Sequence, residues 1–188
     1  MSRTSYGRNI RRTALVELLN RNPFFTDEEL GEHFQVSVPT VRNDRLELGI
    51  PQLRDRVGKI AASSHDPVKS VQAAELVGNL VELRLNESAK SYLTAQETMA
   101  FEKNKIVKGQ HIYSLAESVA LAVIDANAAL VGVANIKYVV PVKAGETMVA
   151  DAVVKRVKGN TFTVWVTITV RARQVFRGKF ILVGVYDG

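Results

Sequence analysis

The sequence predicts an α+β chain of two domains, a small all-α domain followed by an antiparallel sheet around one central helix. Three observations carry this. Apolar residues recur at helical spacing up to about residue 50 and at strand spacing from about residue 80. Two helix-start signatures stand close together, at Thr26 and Ser37. One alanine-rich apolar run, Ser114 to Ile124, precedes four long alternating segments.

In the first sixty residues, Ile10, Leu15, Leu18 and Leu19 are expected on one face of a helix that Asn22-Pro23 stops. Thr26-Asp27-Glu28-Glu29 has the spacing of a capping box, so a second helix is predicted over 27–34, burying Leu30 and Phe34. Phe24 or Phe25 stands where it would staple that helix start. Gln35-Val36 makes a tight turn, Ser37 caps again, and Pro39 fits the first turn of a third helix over about 38–48, before Gly49 and Pro51. Two short helices joined by a tight turn form the helix-turn-helix layout. The third helix is then the candidate reader of a DNA major groove. Thr40, Arg42 and Asn43 have the length and donors to meet phosphates or base edges near its start. Arg45 falls on the stripe of Val38, Val41 and Leu48, so it either snorkels at the core edge or reaches DNA.

Pro51 to Ile60 is amphipathic, with Leu53, Val57 and Ile60 on one face, and Ser63-Ser64-His65-Asp66-Pro67 interrupts it. The expected organisation is a DNA-binding domain over 1–50, a linker helix and linker over 51–78, and a second domain over 79–188. His33, His65 and His111 stand far apart in sequence, and no metal site is expected.

In the second domain, 80–85 and 89–93 are predicted strands around a turn at Asn86-Glu87. The run 114–124 is a helix expected to pack closely on all sides, since alanine is small and favours helix. Strands follow at about 129–139, 147–157, 161–172 and 175–185. The third of these alternates strictly from Thr161 to Val170, its even-numbered residues on one face and the threonines with Trp165 on the other. A curved sheet wrapped around a helix is the hot-dog architecture, whose usual dimer joins two sheets edge to edge, with acyl-thioester sites between subunits.

Composition narrows the function. Without cysteine, disulfides and thiolate chemistry are excluded. The opening residues lack a signal peptide's apolar core and no segment has transmembrane length, so a cytoplasmic location without membrane contact is expected. Basic residues gather at two places. Arg3, Arg8, Arg11 and Arg12 form an arm with no acid before Glu17, suited to phosphates or simply solvated. Residues 128–188 carry nine Lys/Arg against three Asp/Glu.

The chain resembles the FapR family, the fatty-acid and phospholipid biosynthesis repressors of Gram-positive bacteria, nearly end to end. The resemblance rests on Phe25 to Leu30, Val36-Ser37, Thr40-Val41-Arg42 and Asp44 to Pro51. In the second domain it rests on Asn104, Ile106, Gly109, His111 and Ala116 through Asp125. It implies a homodimeric repressor that binds operator DNA upstream of lipid-synthesis genes and releases it on binding malonyl-CoA, with no other cofactor. It also implies DNA contacts from the arm and linker helix, here Arg11, Arg12, Arg54 and Arg56. The family's ligand pocket maps onto Phe101, Lys108, Gly109 and Glu117. Two of these depart from the family pattern. Lys108 stands for an arginine, keeping the charge but losing the fork, and Glu117 stands for an asparagine.

Glu117 keeps three alternatives open: a sensor for malonyl-CoA, a sensor for another acyl-CoA, or a thioesterase using that carboxylate as nucleophile or base. A hot-dog domain serving only for assembly is a further alternative. Lys155, Arg156 and Lys158, or Arg171, Arg173, Arg177 and Lys179, would meet the CoA phosphates or else blunt strand edges. In the sensor reading, acyl-CoA orders the loop at 101–111 and recruits the linker helix or the DNA-binding domain onto the hot-dog core.

Overall fold

Arg11, Leu15 and Leu19 follow one another at i, i+4 spacing and form the buried face of α1 (Arg8–Arg21), which ends at Asn22 ahead of Pro23. Ile10, expected on that face, is 64% exposed. At 3.6 residues per turn it lies about 180° round the helix from Leu19, so the buried row takes Arg11 in its place. This is a computed structural model, and it describes residues 7–53, 55–56 and 67–186. The described residues fall into two compact units, 7–56 and 67–186.

Both halves of the predicted capping box form at α2 (Asp27–Phe34). The Glu29 N–H donates to the Thr26 hydroxyl at 3.1 Å, and the Thr26 N–H donates to the Glu29 carboxylate at 3.0 Å. The turn to α3 (Val38–Glu47) needs Gln35 in the left-handed region at φ 55°. It also brings the Val36 carbonyl so near Gly31 that a Cβ there would meet it at 3.0 Å. Ser37 caps α3 through the Thr40 N–H, Pro39 sits in its first turn, and Gly49 at φ 67° leads the chain away. Phe25, Leu30, Phe34 and Val41 close the core on Leu15 and Leu19.

The second unit is a hot-dog fold. Six antiparallel strands run in the order β1-β2-β4-β5-β6-β3. They are β1 (Asn79–Arg84), β2 (Ser88–Thr94), β3 (Ala128–Tyr138), β4 (Thr147–Lys158), β5 (Thr161–Val170) and β6 (Arg173–Val185). Their inner face wraps the central helix, α4 (Gly109–Ala122). On β5 the even-numbered residues from Phe162 to Val170 are all buried, while Trp165 is exposed on the outer face, as its alternation requires. Phe176, Phe180 and Leu182 of β6 complete the core against Leu115, Val119 and Ile124.

Three expectations are corrected here. The central helix starts five residues before Ser114, because buried Ile112 extends its apolar face although no side chain caps its start. Nor is it enclosed all round: Gln110 is exposed, and Ser114, Glu117 and Leu121 on the same face are half-buried. Residues 67–78, expected as linker, belong to the second unit. There the Ser70 hydroxyl donates to the Leu121 carbonyl at 2.6 Å and the Val77 N–H to the Ser118 hydroxyl at 2.8 Å. Half of the expected linker helix, with Arg54, Val57 and Ile60, lies outside the described residues, as do Arg3 and His65. Among the described residues, no helix is long and apolar enough to cross a membrane.

Candidate functional site

Two surfaces bear on function, one in each unit. In the first, α3 presents Arg42 and Asn43 to solvent beside a half-buried Thr40. The Thr40 and Ser37 hydroxyls lie 2.9 Å apart, fixing both at the start of the helix. Arg42 keeps 58% of its side chain exposed and reaches only long contacts, 3.4 Å to Asp27 and 3.9 Å to Glu28. These residues offer donors near a helix start, the chemistry that meets phosphates and base edges.

Arg45, Arg11 and Arg56, expected as DNA contacts, are instead spent inside the unit. Arg45 is 3% exposed and grips Asp27 with two donors, at 2.6 and 2.8 Å, while a third reaches the Ile50 carbonyl at 3.0 Å. The stripe that places Arg45 beside Val41 buries it, and Asp27 at the start of α2 answers its charge. Burial pushes the Asp27 carboxyl up, but the hydrogen bonds from Arg45 and Arg42 outweigh this and hold it below the usual carboxylate range. Arg11 donates to Asp44 at 2.7 Å and Arg12 to the same carboxylate at 2.9 Å, tying α1 to α3. Asp44 behaves like Asp27: burial raises its pKa, the two guanidiniums lower it, and the net shift is downward. Arg56 donates to the carbonyls of Pro23, Phe25 and Pro51, and burial pulls its pKa to about 10, still well above neutrality.

Arg12 is held on both sides, by Asp44 and by Glu47, and Arg8 joins Glu47 at 2.6 Å. These acids were missed in the sequence reading. One signal was available for Asp44, which lies three residues after Val41 and four before Leu48, on the apolar stripe, where a carboxylate needs a partner.

The second surface surrounds the first turns of α4. Lys108 precedes the helix and Gly109 opens it. The Lys108 ammonium lies 5.9 Å from the centre of the exposed Phe101 ring. The Tyr138 hydroxyl, at the end of β3, donates to the Gly109 carbonyl at 3.0 Å, and a Cβ on Gly109 would meet it at 3.1 Å. Two turns on, Glu117 accepts a hydrogen bond from Tyr113 at 3.2 Å, and among the described residues no ion pair joins it to Lys108. Burial raises the Tyr113 pKa, and the Glu117 charge adds to the rise, so this hydroxyl keeps its proton. Tyr113 and Tyr138 were also missed, because contact between a strand end and a helix start has no local pattern.

The segment expected to be ordered by a ligand already carries its own backbone bonds. The Phe101 N–H donates to the Ile106 carbonyl, Val107 to Val142 and Lys108 to Met99, while residues 109–111 are helix. On the outer face of the sheet, Lys155 lies over Trp165, and Lys137 and Arg177 pair directly across β3 and β6. Among the described residues, no group of His, Cys, Asp or Glu has the grouping to hold a metal ion.

Comparison with known proteins places both units. Residues 11–56 match the DeoR-like helix-turn-helix domain. A relative from Thermoanaerobacter sp. (strain X514), named Transcription factor FapR, is 53% identical over 175 residues, covering 93% of this chain and 88% of its own. A relative of the same name from Bacillus cytotoxicus is 42% identical over 90% of this chain and 88% of its own. Among solved structures, an uncharacterized protein from Pyrococcus horikoshii superposes with a TM-score of 0.59 at 23% identity, over 65% of this chain and 97% of that one. The PaaI protein of E. coli superposes at 0.53 and 18% identity, over 57% of this chain and 78% of its own. These two likenesses concern the hot-dog fold alone.

Proposed function

The chain belongs to the FapR family of transcription factors, and we propose that it is a cytoplasmic, homodimeric repressor of fatty-acid and phospholipid synthesis genes, released from its operator by malonyl-CoA. It is a regulator and not an enzyme, in keeping with the relatives' names. DNA is held by α3 through Thr40, Arg42 and Asn43.

The observation that carries the ligand reading is Lys108 at the start of α4, against the Phe101 ring and beside Gly109, with Glu117 two turns further along the helix. That helix begins without a side-chain cap, so its first N–H groups and dipole favour an anion, and Lys108 adds a full positive charge. A malonyl carboxylate fits this end. Glu117 would repel it, unless the acyl group lies away from this carboxylate, which Tyr113 holds by a hydrogen bond. The dimer reading is supported by β3, an edge strand with exposed Leu130 and Val133, and by the half-open face of α4. A second copy pairing along β3 would cover such an edge. Release follows if malonyl-CoA binds the DNA-incompetent arrangement more tightly, and affinity for DNA falls by that difference and no more.

The test is fluorescence anisotropy on an operator duplex selected from random sequence with the wild-type protein. It is titrated with malonyl-CoA, acetyl-CoA and free CoA, with free thiol assayed alongside. Release by malonyl-CoA alone, without thiol, is expected. If none of the three changes affinity, the ligand reading fails. Thiol that accumulates and vanishes in Glu117→Gln would make the domain an enzyme.

A further inference from the structure

We propose that Glu47 is an exchangeable internal counter-ion for Arg8 and Arg12, standing in for DNA phosphates until a duplex displaces it and so holding down affinity for non-operator DNA. The inference rests on the DNA-binding reading of the first unit. Glu47 is the last residue of α3, where the helix dipole disfavours a carboxylate. It also stands on the element assigned to face phosphates, which repel it. Nothing in the helix therefore asks for an acid there. What the carboxylate does is bridge to α1, taking Arg8 at 2.6 Å on one oxygen and Arg12 on the other.

The fold does not depend on this bridge. Asp44, one turn earlier and 4% exposed, already joins α1 to α3 through Arg11 and Arg12. Glu47 and Arg8 keep 47% and 63% of their side chains exposed, and exposed pairs of this kind contribute little to stability, while Arg12, at 18%, retains Asp44 when Glu47 is displaced. An incoming phosphate thus exchanges one anion for another on Arg8 and Arg12 at small cost to the fold. The hydrogen bond from Arg12 holds the Glu47 carboxyl below its usual range, so it stays charged and in place at neutral pH. Arg42 repeats the pattern more loosely, with Asp27 and Glu28 at 3.4 and 3.9 Å. Among the described residues, the exposed Arg8 and Arg42 near α3 are both lent to carboxylates. This damps the sequence-independent part of binding, which phosphate neutralisation dominates.

The experiment compares full-length wild type and Glu47→Gln on a short mixed-sequence duplex and on the selected operator, by anisotropy over a range of salt. The variant is expected to bind the mixed duplex several-fold more tightly at low salt. Its plot of log affinity against log salt should be steeper by about 0.9 for each freed arginine that meets a phosphate. The operator should gain less, so that the ratio of operator to mixed-duplex affinity falls. Arg8→Gln supplies an independent arm, costing more affinity in the Glu47→Gln background than in wild type. Unchanged affinity and slope, or equal Arg8 losses in both backgrounds, overturns the counter-ion role. So does weaker binding with an intact melting curve, which would make Glu47 a contact in its own right. If wild type binds neither duplex, the DNA-binding reading fails as well; if it binds and Glu47→Gln matches it, only this inference fails.

Discussion

The two units solve the same problem with different interactions. The hot-dog unit has a continuous apolar core, in which Phe162, Phe176, Phe180 and Leu182 are all but inaccessible, and its buried polar groups are small hydroxyls such as Ser91, Ser118 and Thr147. The helix-turn-helix unit has six fully buried apolar residues in its cluster, and around them it buries Arg11, Arg45 and Arg56 with Glu29 and Asp44. A small domain encloses little apolar volume, so interior positions are shared with charged side chains that need fixed partners. The lesson concerns function too. Arginines in a DNA-binding domain divide into those that build the surface and those that use it, and burial with a partner is what separates them.

That contrast can be broken at either end. The largest effect is expected from Phe176→Ala, which empties a site packed edge-on against Tyr138 at 5.4 Å. Loss of about 4 kcal/mol is expected. It should be confined to the second unit and read as lowered denaturant resistance of its amide signals while those of α1 to α3 persist. Next is Asp27→Asn, which strips Arg45 of its charged partner in the interior. It should cost the first unit about 3 kcal/mol, and adding Arg45→Met should recover most of it, since the uncharged Asn–Met pair needs no counter-ion. A double-mutant melting series checks this, and an unrecovered double variant would show that the pair has a role beyond charge balance.

Acid should separate the units as well. Asp27 and Asp44 both have pKa values lowered on folding, so the stability they contribute is present above the ordinary carboxylate range, near 4. It drains away as pH falls below that range toward their folded values. The first unit should unfold at a higher pH than the second, followed by amide signals from each. Simultaneous unfolding would mean that these bridges do not set acid stability. The smallest structural effect is expected from Arg42→Gln. Its long, exposed contacts leave the melting temperature unchanged, while the salt slope of DNA binding falls by about 0.9. Arg45→Gln should do the reverse, lowering stability of the fold.

Much of this molecule was legible in one dimension. The Thr26–Glu29 box and the Ser37 cap fixed the starts of α2 and α3 because capping is local, its partners three residues apart. The alternation from Thr161 to Val170 assigned its inner and outer faces because side-chain direction in a strand has a period of two. The early start of α4 was not legible, since it depends on Ile112 reaching a core built by distant strands. Nor was the contact of Tyr138 with the start of α4, which joins elements 29 residues apart.

The sequence by itself determined most of the elements, the two faces of β5 and the family, because periodicity, caps and motif residues act over a few positions. Only the tertiary structure decided which cations are free. Arg11, Arg42, Arg45 and Arg56 share one side chain and one charge, yet three are enclosed and one is open. The enclosed three are held by carboxylates and carbonyls 18 to 33 residues away, at Asp27, Asp44, Pro23 and Phe25. Ion pairing acts through space, and a sequence records only distance along the chain.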